Sequence, residues 1–246
     1  MDGKHVTIKC PNNTGSEFFN YKKFFSIVLY AVVDADYRFL FLSVGCKGRI
    51  SDGGVFKSCT FRKALDECTQ NIPAPTPLTK DGVASPWVLV ADSALPLAEN
   101  CLKPYTGSHA PNSKERIFNY RLSRARRTSE NAFGILTQRF RVLTKPMELE
   151  PEKARLVTLA CCYLHNYLRK STTSRKYYTP PNSVDTADEN GHVKKGLWRN
   201  EKSDLTSMIP FYKSGRRASA KYKSTRDRFA NYFVNEGRVS WQEEYA

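Results

Sequence analysis

An α/β fold is predicted for this chain by three features: an aromatic-rich hairpin, a continuous apolar run ending in an acid, and two long helical patterns behind it. The hairpin reads from "FFSIVLYAVV" through "DAD" to "YRFLFLSVG", residues 24–45. Aromatic and β-branched residues fill both arms, and in the second arm Tyr37, Phe39 and Phe41 alternate with Arg38, Leu40 and Leu42. Gly45 and Gly48 then release the chain. Ser51 or Asp52 can cap a following helix, expected from about Val55 to Cys68.

The prolines of "IPAPTPLTKDGVASP", residues 72–86, predict a loop. "WVLVAD", residues 87–92, then reads as a strand buried on both faces, with Asp92 at its carboxyl end, where ligand sites of open α/β sheets gather. Residues 113–143 carry the longest helical signal. Phe118, Leu122, Ala125, Ser129, Ala132, Leu136, Phe140 and Leu143 form a core stripe. Arg116, Tyr120, Ser123, Arg127 and Glu130 form a second stripe about 200° away. Gly134 leaves open whether this is one helix or two.

Pro151 suits a first-turn position, and "ARLVTLACCYLHNYL" predicts a well-buried helix that closes the core. The division expected is a domain over 1–170, a polar, disordered linker over 171–196, and a basic C-terminal extension over 197–246 with a short helix in "STRDRFANYFVNEG" stopped by Gly237.

The formal charge of +15, from 39 Lys+Arg against 24 Asp+Glu, favours a polyanionic partner, nucleic acid first and an anionic membrane surface second. The best apolar run ends at Asp34, short of the roughly 18 residues of a membrane span, so no membrane role is expected. "MDGKHVTIKC" lacks the apolar part of a secretory signal, and seven cysteines cannot all pair internally, so a reducing compartment is expected. No cysteine pair has the spacing of a zinc knuckle. Cys162 and His165 share a helix face, with core packing favoured over metal ligation.

Three acids stand out by position: Asp2 beside "HVTI", Asp92 at its strand end and Glu130 on the polar helix stripe. Taken singly, a strand-end Asp is usually a turn residue, and Glu130 would usually pair with Arg126. The stretches "DGKHVTIKCP", "FFNYKKFFSIVLYAVVDADYRFLFLSVGCKGRISDGGVF", "VLVADSALPL", "YRLSRARRTSENAFGIL", "RFRVL" and "ACCYLHNYL", from Asp2 to about Leu168, together resemble the DDE-type catalytic domain of PIF/Harbinger transposases and the host nucleases derived from them. "YFVNEGRVSWQ" also resembles the end of some members.

The resemblance implies an RNase H-like mixed β-sheet flanked by helices, and it matches Asp2, Asp92 and Glu130 to the family's three catalytic, metal-binding acids. Cutting a phosphodiester in line suits two hard divalent ions, Mg²⁺ or Mn²⁺, held by carboxylate oxygens. Three crowded carboxylates would repel one another without metal. Asp52, in "SDGGVF", is an accessory candidate, with helix capping its favoured role. Lys4, His5, Arg121, Arg124, Arg126 and Arg127 are candidates for contact with the DNA backbone.

In the family a helical region and the first half of the leading strand precede the first acid, whereas here only Met1 precedes Asp2. The sequence therefore reads as N-terminally truncated, with Asp2 on a poorly supported end. Two functions follow: a metal-dependent, nuclear DNA endonuclease, working with a Myb/SANT-like DNA-binding partner and open to homo-oligomer formation, or a catalytically silent derivative that binds DNA or protein.

Overall fold

The computed structural model describes residues 1–50, 54–56, 59–67, 72–200, 208–210 and 219–246. The chain is mixed α/β and divides into two compact units. The first comprises Met1–Cys59, Arg127–Ala187 and Val193–Tyr212, and the second Thr60–Arg126, Asp188–His192 and Lys213–Ala246. No helix among the described residues is long and apolar enough to cross a membrane.

In the first unit β1 (Asp2–Thr7), β2 (Ser26–Val33) and β3 (Phe39–Lys47) follow one another. With a strand at Met208–Pro210 at the far edge, they form a four-stranded sheet whose neighbours are all antiparallel. The predicted hairpin is β2–β3. Its first arm begins two residues later than the apolar run because Phe25 pairs back to Phe19 in an isolated bridge.

All of β2 except Val33 is buried, and the period of two assigns its faces. Ile27, Leu29 and Ala31 enter a core with Ala132, Phe133, Leu136, Ala154 and Cys162 from the helices. Tyr30, on the opposite face, packs edge-on against Phe56 at 5.8 Å between ring centres. Each fully buried aliphatic side chain here contributes roughly 1.5–3 kcal/mol.

The helical pattern after residue 113 is one continuous helix, α2 (Lys114–Arg139), following the short α1 (Thr60–Asp66). Residues 114–126 of α2 count with the second unit and 127–139 with the first. Gly134 does not break it. A Cβ there would lie 2.3 Å from the Trp198 indole, so glycine is a seat for that ring. The two-stripe reading of this helix needs correction: residues 131–136 are buried all round, whereas Ala125, assigned to the core stripe, is exposed. Asp185, Trp198 and Arg199 cover part of the face that periodicity left to solvent.

Helix α3 (Pro151–Lys170) has proline in its first turn, as predicted. Gly45 of β3 lets it approach, since a Cβ there would meet Arg155 at 2.5 Å. The α3 side chains of His165, Asn166 and Arg169 grip the hairpin. Asn166 donates to the Phe39 carbonyl and accepts from the Phe39 N–H, both at 2.8 Å, and Arg169 Nε donates to the Asp36 carbonyl at 2.7 Å. One face of α3 departs from the expectation of a well-buried helix: Leu156, Tyr163, Leu164 and Tyr167 are exposed.

Within 171–196, where a disordered linker was expected, lie α4 (Thr172–Tyr178) and the paired two-residue strands at Thr186–Ala187 and Val193–Lys194. Polar composition misleads there because the segment is held by specific hydrogen bonds rather than by an apolar face.

The second unit has shorter strands. The proline-rich loop contains a two-residue antiparallel pair, β4 (Thr76–Pro77) with β5 (Ala84–Ser85). "WVLVAD" supplies only β6 (Leu89–Val90), half-buried rather than covered on both faces, and parallel to β7 (Cys101–Leu102). Parallel pairing among the described strands is confined to β6–β7, so the single mixed sheet expected is not formed by them. Helix α5 (Ala220–Val234) buries Ala230 in a cluster with Leu97, Leu102, Phe118 and Leu122, and Phe229 and Phe233 pack against it. The C-terminal helix thus falls where "STRDRFANYFVNEG" placed it.

Candidate functional site

Asp2 opens β1 opposite Ala31 of β2 and is buried. The expectation of a frayed end is overturned by this pairing and by Met1, itself buried, whose Sδ accepts a hydrogen bond from the Tyr30 hydroxyl at 3.1 Å. Asp2 Oδ1 accepts from the Gly3 N–H at 2.9 Å, and Oδ2 lies 3.3 Å from Lys4 Nζ. Lys4 is buried as well, its ammonium 5.5 Å from the centre of the Phe133 ring. Folded in this way, Lys4 compensates Asp2 and does not present its charge to a phosphate.

His5, the next backbone-contact candidate, is fully buried, with Nδ1 3.0 Å from Ser26 Oγ. Burial, assisted by Lys22, pushes its pKa down to about 4, so the ring is neutral near pH 7. It too is corrected from a DNA contact to a core residue.

Glu130 projects from α2 in the first unit, and its side chain is 39 % exposed. Arg199 Nη2 donates to its Oε2 at 2.9 Å. The same guanidinium forks onto Asp185, with Nε 2.9 Å from both carboxylate oxygens and Nη2 2.5 Å from Oδ2. Asp185, whose carboxylate is only 1 % exposed, also accepts from the Gly196 N–H at 2.8 Å and has Arg127 Nε at 3.8 Å. Burial alone would raise its pKa, but the Arg199 and Gly196 hydrogen bonds and the two guanidinium charges outweigh that and hold it below the usual carboxylate range.

Asn131, beside Glu130, fixes this arrangement. Its side-chain amide reads both backbone groups of Asp185, at 3.1 and 3.0 Å, and accepts from Trp198 Nε1 at 3.0 Å. Sequence reasoning missed Asn131, Asp185, Trp198 and Arg199. The usable signal was the single tryptophan–arginine pair in an otherwise polar stretch.

Asp92 belongs to the second unit, two residues beyond β6. Its Oδ1 accepts from the Ala94 N–H at 2.9 Å, closing an Asx turn, the usual role of a strand-end Asp. Lys103, buried in the same unit, donates to the Ser93 carbonyl at 3.2 Å. Burial lowers the Lys103 pKa, and the Asp92 charge opposes that shift.

Two of the candidate arginines are committed locally. Arg121 Nη1 donates to the Gly237 carbonyl and to Gln242 Oε1, at 3.1 and 3.0 Å, with its guanidinium 4.6 Å from the Phe233 ring centre. Arg124 donates to the Gly191 carbonyl at 2.7 Å and lies 4.1 Å over Trp241. Arg126 is partly buried. Asp52 lies outside the described residues.

Both ring nitrogens of His165 are engaged. A carbonyl can only accept, so Nε2 donates to Tyr37 O at 2.7 Å, which leaves Nδ1 to accept from the Tyr178 hydroxyl at 2.9 Å. Cys162 is fully buried and its thiol pKa is raised by desolvation, as core packing requires. Among the described residues no group of three or more His, Cys, Asp or Glu side chains is gathered closely enough to hold a metal ion.

Residues 1–166 match the family described as DDE superfamily endonuclease, a span that includes all three acids. The chain belongs to that family. Among curated proteins, this DDE superfamily member is 31 % identical over 173 residues to the protein named ALP1-like of Arabidopsis thaliana, covering 68 % of this chain and 42 % of that one. It is 27 % identical over 171 residues to the Arabidopsis thaliana protein named antagonist of like heterochromatin protein 1, with the same two coverages. The chain thus spans less than half the length of the curated relatives it matches. No solved structure matches it significantly.

Proposed function

We propose that this chain is a divalent-metal-dependent DNA endonuclease domain of Harbinger-type transposase origin, acting in the nucleus, with Asp2, Asp92 and Glu130 as its carboxylates. The observation that carries this reading is the family match over residues 1–166, which spans all three acids in family order. Carboxylate oxygens are the donors that Mg²⁺ or Mn²⁺ prefers. Such ions would activate a water and stabilise the departing 3′-oxygen. The chain's own part is charge balance: Lys4 meets Asp2 at 3.3 Å, Arg199 meets Glu130 at 2.9 Å, and metal binding would have to compete with both cations. The RNase H-like arrangement and a separately encoded DNA-binding partner belong to the same proposal.

Those two ion pairs favour a second reading, a catalytically silent derivative that keeps the fold and the positive charge. The name of the second relative, antagonist of like heterochromatin protein 1, is compatible with that direction.

Nicking of supercoiled plasmid in Mg²⁺ or Mn²⁺ separates the readings. The nuclease reading predicts metal-dependent nicking that falls about 100-fold or more in Asp92→Ala. Equal nicking by both proteins would remove the assigned acids, and retention of plasmid without nicking by either would establish the silent derivative.

A further inference from the structure

Adjacent arginines occur twice in the sequence, and each pair stands three and two positions before a serine: Arg126-Arg127-Thr128-Ser129 and Arg216-Arg217-Ala218-Ser219. This is the charge pattern read by protein kinases with acidic residues beside their peptide cleft, where the guanidinium groups pair with carboxylates and the serine hydroxyl enters the active site. The sequence cannot choose between the two serines, but burial can. Ser129 lies inside the 26-residue helix α2 and is 5 % exposed. A helical, covered hydroxyl reaches a kinase only after local unfolding. Ser219 is exposed, with an extended backbone at φ −60° and ψ 148°, immediately before α5. Arg216 and Arg217 lie outside the described residues, and the sequence alone fixes their place in the motif.

The helix that follows has the charge a phosphate would complement. Ser219 holds the N-cap position of α5, yet among the described residues its side chain caps no backbone N–H. The first turn, Ala220-Lys221-Tyr222-Lys223, contains no acid and two exposed lysines. Cations at the N-terminus of a 15-residue helix oppose its dipole. Glu99, 2.9 Å from Lys221, offsets one of them. A phosphate on Ser219 Oγ would bring a charge of about −1.5 to −2 at pH 7, with oxygens able to accept from the first N–H groups of the helix.

We propose that Ser219 is a phosphorylation site for an arginine-directed protein kinase and that the phosphoserine caps α5. The kinase transfers the γ-phosphoryl group of ATP. The bond between the γ-phosphorus and the β,γ-bridging oxygen breaks, the Ser219 Oγ–P bond forms, the hydroxyl proton passes to the kinase's catalytic carboxylate, and ADP leaves. The site does not depend on the nuclease reading.

Incubation of the full chain with Mg²⁺, ATP and the catalytic subunit of cyclic-AMP-dependent protein kinase, an arginine-directed enzyme, tests this by mass spectrometry of the digested protein. Ser219 should take up phosphate while Ser129 stays unmodified. Ser219→Ala should lose the label, and Arg216→Ala or Arg217→Ala should each lower kcat/KM for labelling about tenfold or more. In the phosphorylated chain, amide hydrogen exchange at Lys221 and Tyr222 should slow by about two- to fivefold, as a capped first turn requires. No phosphate on Ser219, labelling of Ser129 in its place, labelling indifferent to both arginines, or unchanged exchange at the start of α5 would each overturn the proposal.

Discussion

Asp2 and Asp92 both sit at strand ends, yet their surroundings differ. Asp2 begins a six-residue strand bonded on both sides, and its neighbours Met1, Gly3 and Lys4 are buried with it. Asp92 follows a two-residue strand that, among the described strands, pairs with β7, is half-buried, and closes an Asx turn to Ala94. One acid is fixed by a sheet and the other by a turn. A ligand on a sheet keeps its geometry at the cost of whole-unit stability, whereas a turn can yield locally. The first unit should therefore show large, cooperative responses and the β6 region small, local ones.

The largest expected effect is acid destabilisation of the first unit. His5 and His165 both have pKa values lowered by burial to about 4, against about 6.5 unfolded. Between those values the unfolded chain binds more protons. Stability is therefore complete above pH 6.5 and falls as the pH drops towards 4, by about 3 kcal/mol for each ring. Chemical denaturation at a series of pH values reads this slope, and His5→Gln with His165→Gln should flatten it even though the variant starts less stable.

Smaller effects sharpen the contrast. Leu29→Ala, in the fully buried β2, should cost about 2–5 kcal/mol, and Val90→Ala, on half-buried β6, about 1 kcal/mol. Hydrogen exchange should show Leu29→Ala loosening β1 to β3 together and Val90→Ala confined to β6 and β7. Similar, global exchange in both variants would remove the distinction.

The sequence was most legible where a period of two or a capping residue acts alone. The β2–β3 hairpin, Pro151 at the start of α3 and the C-terminal helix before Gly237 follow directly from local pattern. It was least legible where distant chain covers a face. Residues 131–136 of α2 are buried all round because Asp185, Trp198 and Arg199 lie over them, a contact no local window contains. Lys4 and His5 looked like phosphate contacts because charge in a sequence says nothing of burial, and both are inside. The family pattern singles out Asp2, Asp92 and Glu130, but the cations beside two of them, Lys4 at Asp2 and Arg199 at Glu130, follow from no local pattern.

The proposed nuclease requires Asp2, Asp92 and Glu130 to serve the same divalent cations. Mn²⁺ binding followed by electron paramagnetic resonance tests it without requiring turnover. Wild type should bind Mn²⁺, and Asp2→Asn, Asp92→Asn and Glu130→Gln should each weaken binding by about tenfold or more while the fold is kept. Mn²⁺ affinity unchanged by all three substitutions, or no binding by wild type, would contradict it.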